Sequence, residues 1–226
     1  MSAIDRLLGR TIDLRPFYSL ASRDSRLWPL CERFQGLKPP RFPTVFEALI
    51  NGIACQQLSL AVGITLLNRL AEAYGAPFEE CGRTQHAFPT PADLAAAQPS
   101  RLRELGFSSN KGRAIVELAS SIAAGRVKIE DLGLFDDAEA ISRVLAIRGI
   151  GRWTAEYVLL RGLGRTNIFP GDDVGARNNL ARWLKLHKQL DYGGVACKVA
   201  KWKPYAGLIY FHLLMDSLAR TGYLQS

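Results

Sequence analysis

Gly149 and Gly151 sit two residues apart in the run Arg148-Gly149-Ile150-Gly151-Arg152. Glycine takes positive φ without a Cβ penalty and lets the backbone approach another chain closely. A helical pattern begins just after the run, and the first turn of a helix has unpartnered N–H groups and a dipole that favours an anion. The run can therefore hold a phosphate. Arg143, Arg161 and Arg165 add to its positive charge, with only Glu156 opposing them. An isolated pair of glycines usually does no more than turn the chain between two packed helices; five surrounding arginines favour phosphate contact instead. Further on, Phe169-Pro170-Gly171-Asp172-Asp173 places two carboxylates before another helical pattern, which is in itself an N-cap sequence. Trp153 and Tyr157 are spaced i, i+4 and share a helix face, and such a pair ordinarily belongs to a core. His86, His187 and His212 have no ligand spacing. Cys31, Cys55, Cys81 and Cys197 are scattered without a CxxC pair, which argues against a zinc site or an iron–sulfur cluster and for reduced thiols.

Composition sets the frame for these residues. The 226-residue chain carries 29 Lys and Arg against 21 Asp and Glu, a formal charge of +8. A basic surface favours polyanions, of which nucleic acid is the commonest, although charge alone does not identify a partner. A hydrophobic fraction of 48% with 22% charged residues describes a folded chain with a real core, one domain or one domain of two lobes. No stretch approaches the roughly 18 apolar residues of a bilayer span. The N-terminal residues break every apolar pair with charge, so neither a membrane span nor a secretory signal is expected.

The elements that must position the candidate residues read as helices almost throughout. Thr44 with Glu47 is a capping-box pattern opening an apolar stretch that runs to Gly75, with Gly52 and Ser59 dividing it into two helices. Thr90-Pro91-Ala92-Asp93 supplies an N-cap, a first-turn proline and a first-turn acid. Ser100 begins a short helix that Gly106 ends, and Ala114, Ile115, Leu118, Ala119 and Ile122 mark a face of the next, closed by Gly125. Asp136 with Glu139 caps the helix before the glycine run, and Trp153 to Arg161 continues after it: helix, tight hairpin, helix. Two more helical patterns, Val174 to Leu186 and Pro204 to Leu218, are separated by a break at Tyr192-Gly193-Gly194. The first 42 residues are proline-broken, with one helix expected around Asp24 to Phe34.

The run from Leu145 through Tyr157, followed by Phe169-Pro170-Gly171-Asp172-Asp173, resembles the signature of the helix-hairpin-helix DNA glycosylases, and most of all their DNA-3-methyladenine glycosylase II (AlkA-type) group. The similarity extends to Phe46-Glu47-Ala48-Leu49, Cys55-Gln56-Gln57-Leu58-Ser59, Phe88-Pro89-Thr90-Pro91, Leu105-Gly106, Lys111 and Trp202-Lys203-Pro204-Tyr205, roughly residues 43 to 218. The resemblance implies an all-α, two-lobed glycosylase over residues 1–226. A central lobe at 43–169 would carry the hairpin at 148–151, and 1–42 with 170–226 would form a second lobe, with the active-site cleft between them. Larger relatives begin with an extra α/β domain for which the chain before residue 43 is too short, which implies a more open site.

For the site, the resemblance implies roles residue by residue. The carboxylate matching the family's catalytic aspartate is Asp173. N-glycosidic cleavage develops oxocarbenium-like charge on the sugar, which a fixed anion stabilises while orienting water. Trp153 stands where bifunctional relatives carry a Schiff-base lysine, so a monofunctional, water-using enzyme without lyase activity is expected. Trp153 and Tyr157 would line a base pocket suited to a cationic alkylated purine, although Leu214 replaces a pocket tryptophan. Gln57 matches the inserted wedge by position and Leu58 is chemically the better apolar wedge, with helix packing the ordinary fate of Leu58. Gly149, Gly151, Arg148, Arg152 and Thr154 would hold the DNA backbone. The carbonyls of Leu145, Ile147 and Ile150 would hold a structural Na+ or K+, with no required cofactor and no iron–sulfur cluster. The expected function is excision of 3-methyladenine-type bases from damaged double-stranded DNA in base excision repair. A monomer in the cytoplasm and nucleoid, or in a nucleus, is expected. The alternatives are a glycosylase for oxidised or deaminated bases and a non-catalytic DNA-binding module.

Overall fold

The computed structural model describes residues 3–222. In chain order the elements are α1 (Ala3–Leu7), α2 (Arg15–Ala21), α3 (Leu27–Arg33), α4 (Val45–Cys55), α5 (Leu60–Tyr74), β1 (Pro77–Glu80) and β2 (Arg83–His86). They are followed by α6 (Pro91–Ala95), α7 (Pro99–Glu104), α8 (Ser109–Ala123), α9 (Asp137–Leu145) and α10 (Arg152–Val158), then α11 (Val174–Trp183), α12 (Tyr192–Val199) and α13 (Ala206–Arg220). Among the described residues no helix is long and apolar enough to cross a membrane. The chain divides into two compact units, Thr44–Val158 and the remainder on either side of it. The second boundary falls at Val158 rather than at Phe169, because Leu160, in the wide π-type turn Leu159–Leu163, and Phe169 are both core residues of the second unit.

In the first unit, side-chain caps set the helix starts where the sequence placed them. Thr44 accepts from the Glu47 N–H, Asp136 from the Glu139 N–H, and Thr90 with Asp93 closes a complete capping box. The long apolar stretch is two helices, α4 and α5, but its break lies at Gln56–Ser59, with Ser59 capping α5. Gly52 stays inside α4, where a Cβ would come 2.7 Å from Thr154 Cγ2. The helices α6 and α7 pack on α8, and α10 packs on α4. The all-α expectation holds, with one small addition: β1 and β2 form a two-stranded antiparallel hairpin with Glu80 opposite Arg83. Cys81 at φ +50° and Gly82 at φ +71° make its two-residue turn, the geometry that matches strand twist. Both strands are almost wholly exposed, so no apolar alternation marked them.

The second unit has a core of its own, including Phe17, Leu27, Leu160, Leu180, Trp202, Ile209 and Phe211. The N-terminal arm holds α1 and α2 besides α3, with Pro16 in the first turn of α2. Tyr192-Gly193-Gly194 is not a break: it opens α12, because the Asp191 side chain accepts the Gly194 N–H at 2.7 Å and outweighs the glycines' poor propensity. His212 is fully buried, with Nδ1 at 2.8 Å from the Leu208 carbonyl and its ring 5.3 Å from that of Phe17, so its role is in packing. Asp24 ties the arm to the short turn Ala200–Trp202 after α12, accepting from Lys201 Nζ at 2.8 Å and Trp202 Nε1 at 2.9 Å. Burial alone would raise the pKa of Asp24. The bonds from Lys201, Trp202 and the Arg26 and Leu27 N–H groups outweigh burial and hold it at about 2 against an ordinary 3.8.

A carboxyl depressed in the folded state stabilises above its unfolded pKa, and that contribution is lost as pH falls through the folded value. Asp24→Asn is therefore expected to lower the melting temperature at pH 7, with the gap from wild type closing between pH 3.8 and about 2. Melting curves across that range check this; a gap independent of pH would assign the effect to packing.

Candidate functional site

The hairpin joins α9 to α10 within the first unit. Ile150, 8% exposed, anchors it, and the Ile150 N–H donates to the Ile147 carbonyl at 3.2 Å. Gly149 has φ +83°, and a Cβ there would come 2.8 Å from Ala114 Cβ, so both conformation and contact require glycine. Gly151 differs from expectation. It has no positive φ, and a Cβ built on it meets nothing within 4 Å. Its carbonyl accepts the Ala155 N–H at 3.0 Å and so starts α10, whose first-turn amides lie beside this open space.

Several of the arginines near the hairpin in sequence have partners within their own unit. Arg148 and Arg152 are exposed, and Arg148 pairs with Glu117 at 2.9 Å. Arg143 pairs with Glu139 at 2.7 Å and lies 3.8 Å over the Phe135 ring. Arg161 and Arg165 belong to the second unit, where Arg161 donates to the Pro40 carbonyl and faces the Phe42 and Phe211 rings. Glu156 is buried. Thr154, expected on the DNA backbone, is 1% exposed; its hydroxyl accepts from Gln56, and its side chain is out of a phosphate's reach. One apolar face of α10 must enter the core, and Thr154 and Glu156 lie on that side with Ala155 and Val158.

The segment after α4 is held from two directions. Lys111 Nζ donates to the carbonyls of Ala54 at 2.9 Å and Gln56 at 2.7 Å, at the end of α4. Burial lowers the Lys111 pKa, opposed by the neighbouring Cys55. Gln56 Nε2 donates to the Gly149 carbonyl at 3.1 Å and to Thr154 Oγ1 at 3.0 Å. Between these ties Gln57 takes φ +55°, a left-handed conformation uncommon outside glycine. Gln57 is exposed and Leu58 is 41% exposed, so Leu58 is not consumed by helix packing and both wedge candidates face solvent. Sequence reasoning noted Gln56 and Lys111 as parts of a motif but assigned them no function, because their partners lie 55 to 98 residues away.

Trp153 and Tyr157 stack with centroids 5.3 Å apart and an interplanar angle of 27°. Both are half-buried, so the pair is not a core pair. The Tyr157 hydroxyl donates to Asn51 Oδ1 at 2.7 Å, which fixes the ring. Asn51 lies on α4, one turn before the braced segment, and nothing in its local sequence marks it.

In the second unit Asp173 caps α11 and keeps a partly exposed carboxylate. Oδ1 accepts the Ala176 N–H at 2.8 Å and Oδ2 accepts the Tyr210 hydroxyl at 3.0 Å. Tyr210, 9% exposed, is set edge-on to Phe169 at 5.5 Å and to Phe211 at 5.3 Å. Each carboxylate oxygen thus has a fixed donor. Asp172 is also half-buried but does not cap the helix. Gly171 sets the preceding turn, since a Cβ there would strike the Tyr192 ring at 2.8 Å. Leu214 packs partly buried against the core.

The described residues thus form a mostly helical chain in which a glycine hairpin leads into a helix, beside exposed arginines and a stacked aromatic pair. The family described as HhH-GPD superfamily base excision DNA repair protein matches residues 50–204, and the chain belongs to it. It is 31% identical over 201 residues to a DNA-3-methyladenine glycosylase of Bacillus subtilis, covering 89% of this chain and 66% of that one. A 3-methyladenine DNA-glycosylase structure from Archaeoglobus fulgidus superposes with a TM-score of 0.81 at 30% identity, covering 93% of this chain and 71% of that one. The 3-methyladenine DNA glycosylase of Schizosaccharomyces pombe, solved in complex with abasic DNA, gives 0.73 at 26% identity, covering 86% and 92%. The chain spans less than two thirds of the length of the Bacillus subtilis and Escherichia coli glycosylases it matches, 66% and 60%.

The two hairpin glycines are expected to respond differently to alanine. Gly149→Ala combines left-handed strain with a clash and should cost about 1–3 kcal/mol. Gly151→Ala, with ordinary φ and open space, should leave thermal stability unchanged. Equal losses in denaturation would contradict the asymmetry.

Proposed function

We infer that the chain is a hydrolytic DNA glycosylase that releases alkylated bases of the 3-methyladenine type from duplex DNA in base excision repair, acting where chromosomal DNA is kept. The carboxylate of Asp173, aimed by the Ala176 N–H and the Tyr210 hydroxyl, carries this reading. A base within a duplex is out of reach of any carboxylate, so the nucleotide is first extruded. Gly151, Arg148 and Arg152 hold the backbone, and Gln57 or Leu58 fills the gap left in the stack. The stacked faces of Trp153 and Tyr157 receive the base, where a positive charge on an alkylated purine is attracted to the electron-rich rings.

As the N-glycosidic bond lengthens, electrons leave with the base and positive charge develops on the sugar. Asp173, held in advance by the Ala176 N–H and the Tyr210 hydroxyl, stabilises that charge more than it stabilises the substrate and orients the attacking water. The products are a free base and an intact strand with an abasic site. Trp153 has no amine with which to form a Schiff base, so the strand is not cut. The neutral carbonyls of Leu145, Ile147 and Ile150 suit a hard monovalent cation that would tie the hairpin. Ile147 spends one lone pair on the Ile150 N–H and keeps another.

Asparagine caps a helix as well as aspartate does, so Asp173→Asn should fold normally. It is expected to bind duplex DNA within about threefold of wild type and to release base at least about a hundredfold more slowly. Full activity in that variant would remove Asp173 from the chemistry. Borohydride added during turnover should trap no covalent protein–DNA adduct; a trapped adduct would refute the water mechanism.

A further inference from the structure

The side-chain amide of Gln56 joins the wedge segment to the hairpin, and Lys111 fixes that segment from the opposite side. Gln56 Nε2 reaches the Gly149 carbonyl at 3.1 Å and Thr154 Oγ1 at 3.0 Å. The Gln56 carbonyl receives Lys111 Nζ at 2.7 Å, and the Ala54 carbonyl receives the same ammonium at 2.9 Å. The acceptors for Gln56 lie on either side of Gly151, at the entrance to α10. Gln57, the next residue, is held at φ +55°, and Leu58 follows it into solvent. A left-handed non-glycine residue costs free energy and persists only where its surroundings over-determine it. Here the turn closes on its own bond from the Leu58 N–H to the Cys55 carbonyl at 3.3 Å and is braced by four hydrogen bonds from two side chains, neither of which is a candidate for touching the base or the sugar.

We propose that Gln56 and Lys111 are positioning residues that couple the hairpin's grip on the DNA backbone to wedge insertion. The proposal rests on the reading of the chain as a base-flipping glycosylase and adds the part that makes binding and flipping one event. The Gly149 carbonyl belongs to the turn beside the open space at Gly151, so a backbone seated there holds the acceptor that sets the Gln56 side chain. The Gln56 main chain in turn sets the direction in which Gln57 and Leu58 leave α4. Without the amide the hairpin still has its glycines and arginines, but the wedge segment loses its fixed distance from them. Without the ammonium, two carbonyls at the end of α4 lose their donor, and the left-handed turn keeps only its own bond from the Leu58 N–H to the Cys55 carbonyl and the Gln56 amide.

The test separates grip from insertion. Gln56→Met and Lys111→Met keep side-chain length and remove the donors. Three quantities are measured for each variant and for wild type: affinity for undamaged duplex, affinity for a duplex with a tetrahydrofuran abasic site, and single-turnover release of an alkylated base that wild type releases. That base is presented once in a normal pair and once in a single-nucleotide bulge, where extrusion costs little. Expected results are undamaged-duplex affinity within about twofold of wild type and an abasic-site preference reduced about tenfold, the scale of one lost hydrogen bond. Release from the pair should be about tenfold slower and from the bulge less than about threefold slower. If both affinities fall together, or if paired and bulged substrates slow equally, the residues only support the fold and the proposal is overturned. If Gln56→Met does not fold, Lys111→Met gives the same comparison. A wild type that releases no alkylated base would sink the glycosylase reading, and its abasic-site preference against that of the variants would still decide the coupling.

Discussion

One primary amide closes a gap between two stretches of backbone 93 residues apart: Gln56 Nε2 on the Gly149 carbonyl. The other acceptor of that amide, Thr154 Oγ1, is buried, and Thr154 is also the residue that Gly52 must be glycine to admit. Gly149, in turn, leaves room for Ala114 on α8, the helix whose first turn supplies Lys111. The end of α4, the start of α8 and the turn before α10 thus hold one another through close backbone approaches and a few charge-assisted or amide hydrogen bonds. Such contacts are stiff, because each unmet partner would be a polar group partly removed from water. Rigidity at this place fits the work proposed for it, since a wedge enters a base stack only if its root does not yield.

The catalytic candidate uses the same economy in the second unit. A helix N-terminus needs an oxygen acceptor at its cap, and Asp173 meets that need through Oδ1 while Oδ2 is fixed by Tyr210. Capping and catalysis do not compete for the carboxylate. The cap removes its rotamer freedom, so the charge is fixed in place before any substrate arrives. Preorganisation of a charge before the transition state arrives is the largest effect a protein can supply to such chemistry. The aromatic ring of Tyr210 is itself held edge-on by Phe169 and Phe211, so the hydroxyl's aim derives from packing.

Helix starts were legible because a cap is a local device. Thr44, Thr90 and Asp136 each bond an N–H three residues on, and three residues are visible in sequence. The same locality misled at Tyr192-Gly193-Gly194, where two glycines looked like a break and the Asp191 cap prevailed. Exposed strands without apolar alternation, β1 and β2, left no pattern to read. Arg161 comes soon after the hairpin in sequence, yet its guanidinium donates to the Pro40 carbonyl and faces the Phe42 and Phe211 rings, partners that no local pattern reveals. For the candidate site, motif and chemistry drew attention to 148–157 and to 173, but not to the burial of Thr154 or the ordinary φ of Gly151. Asn51, Gln56, Lys111 and Tyr210 were not assigned roles, since each acts through a partner that only the fold brings near.

Base release from methylated duplex DNA tests the proposed chemistry most directly, with the purified protein sampled over time, free bases separated and identified, and strands sized before and after alkali. Free 3-methyladenine accumulating while the strands stay whole until alkali is the predicted result. No free base, or strands cut at the lesion without alkali, would contradict it.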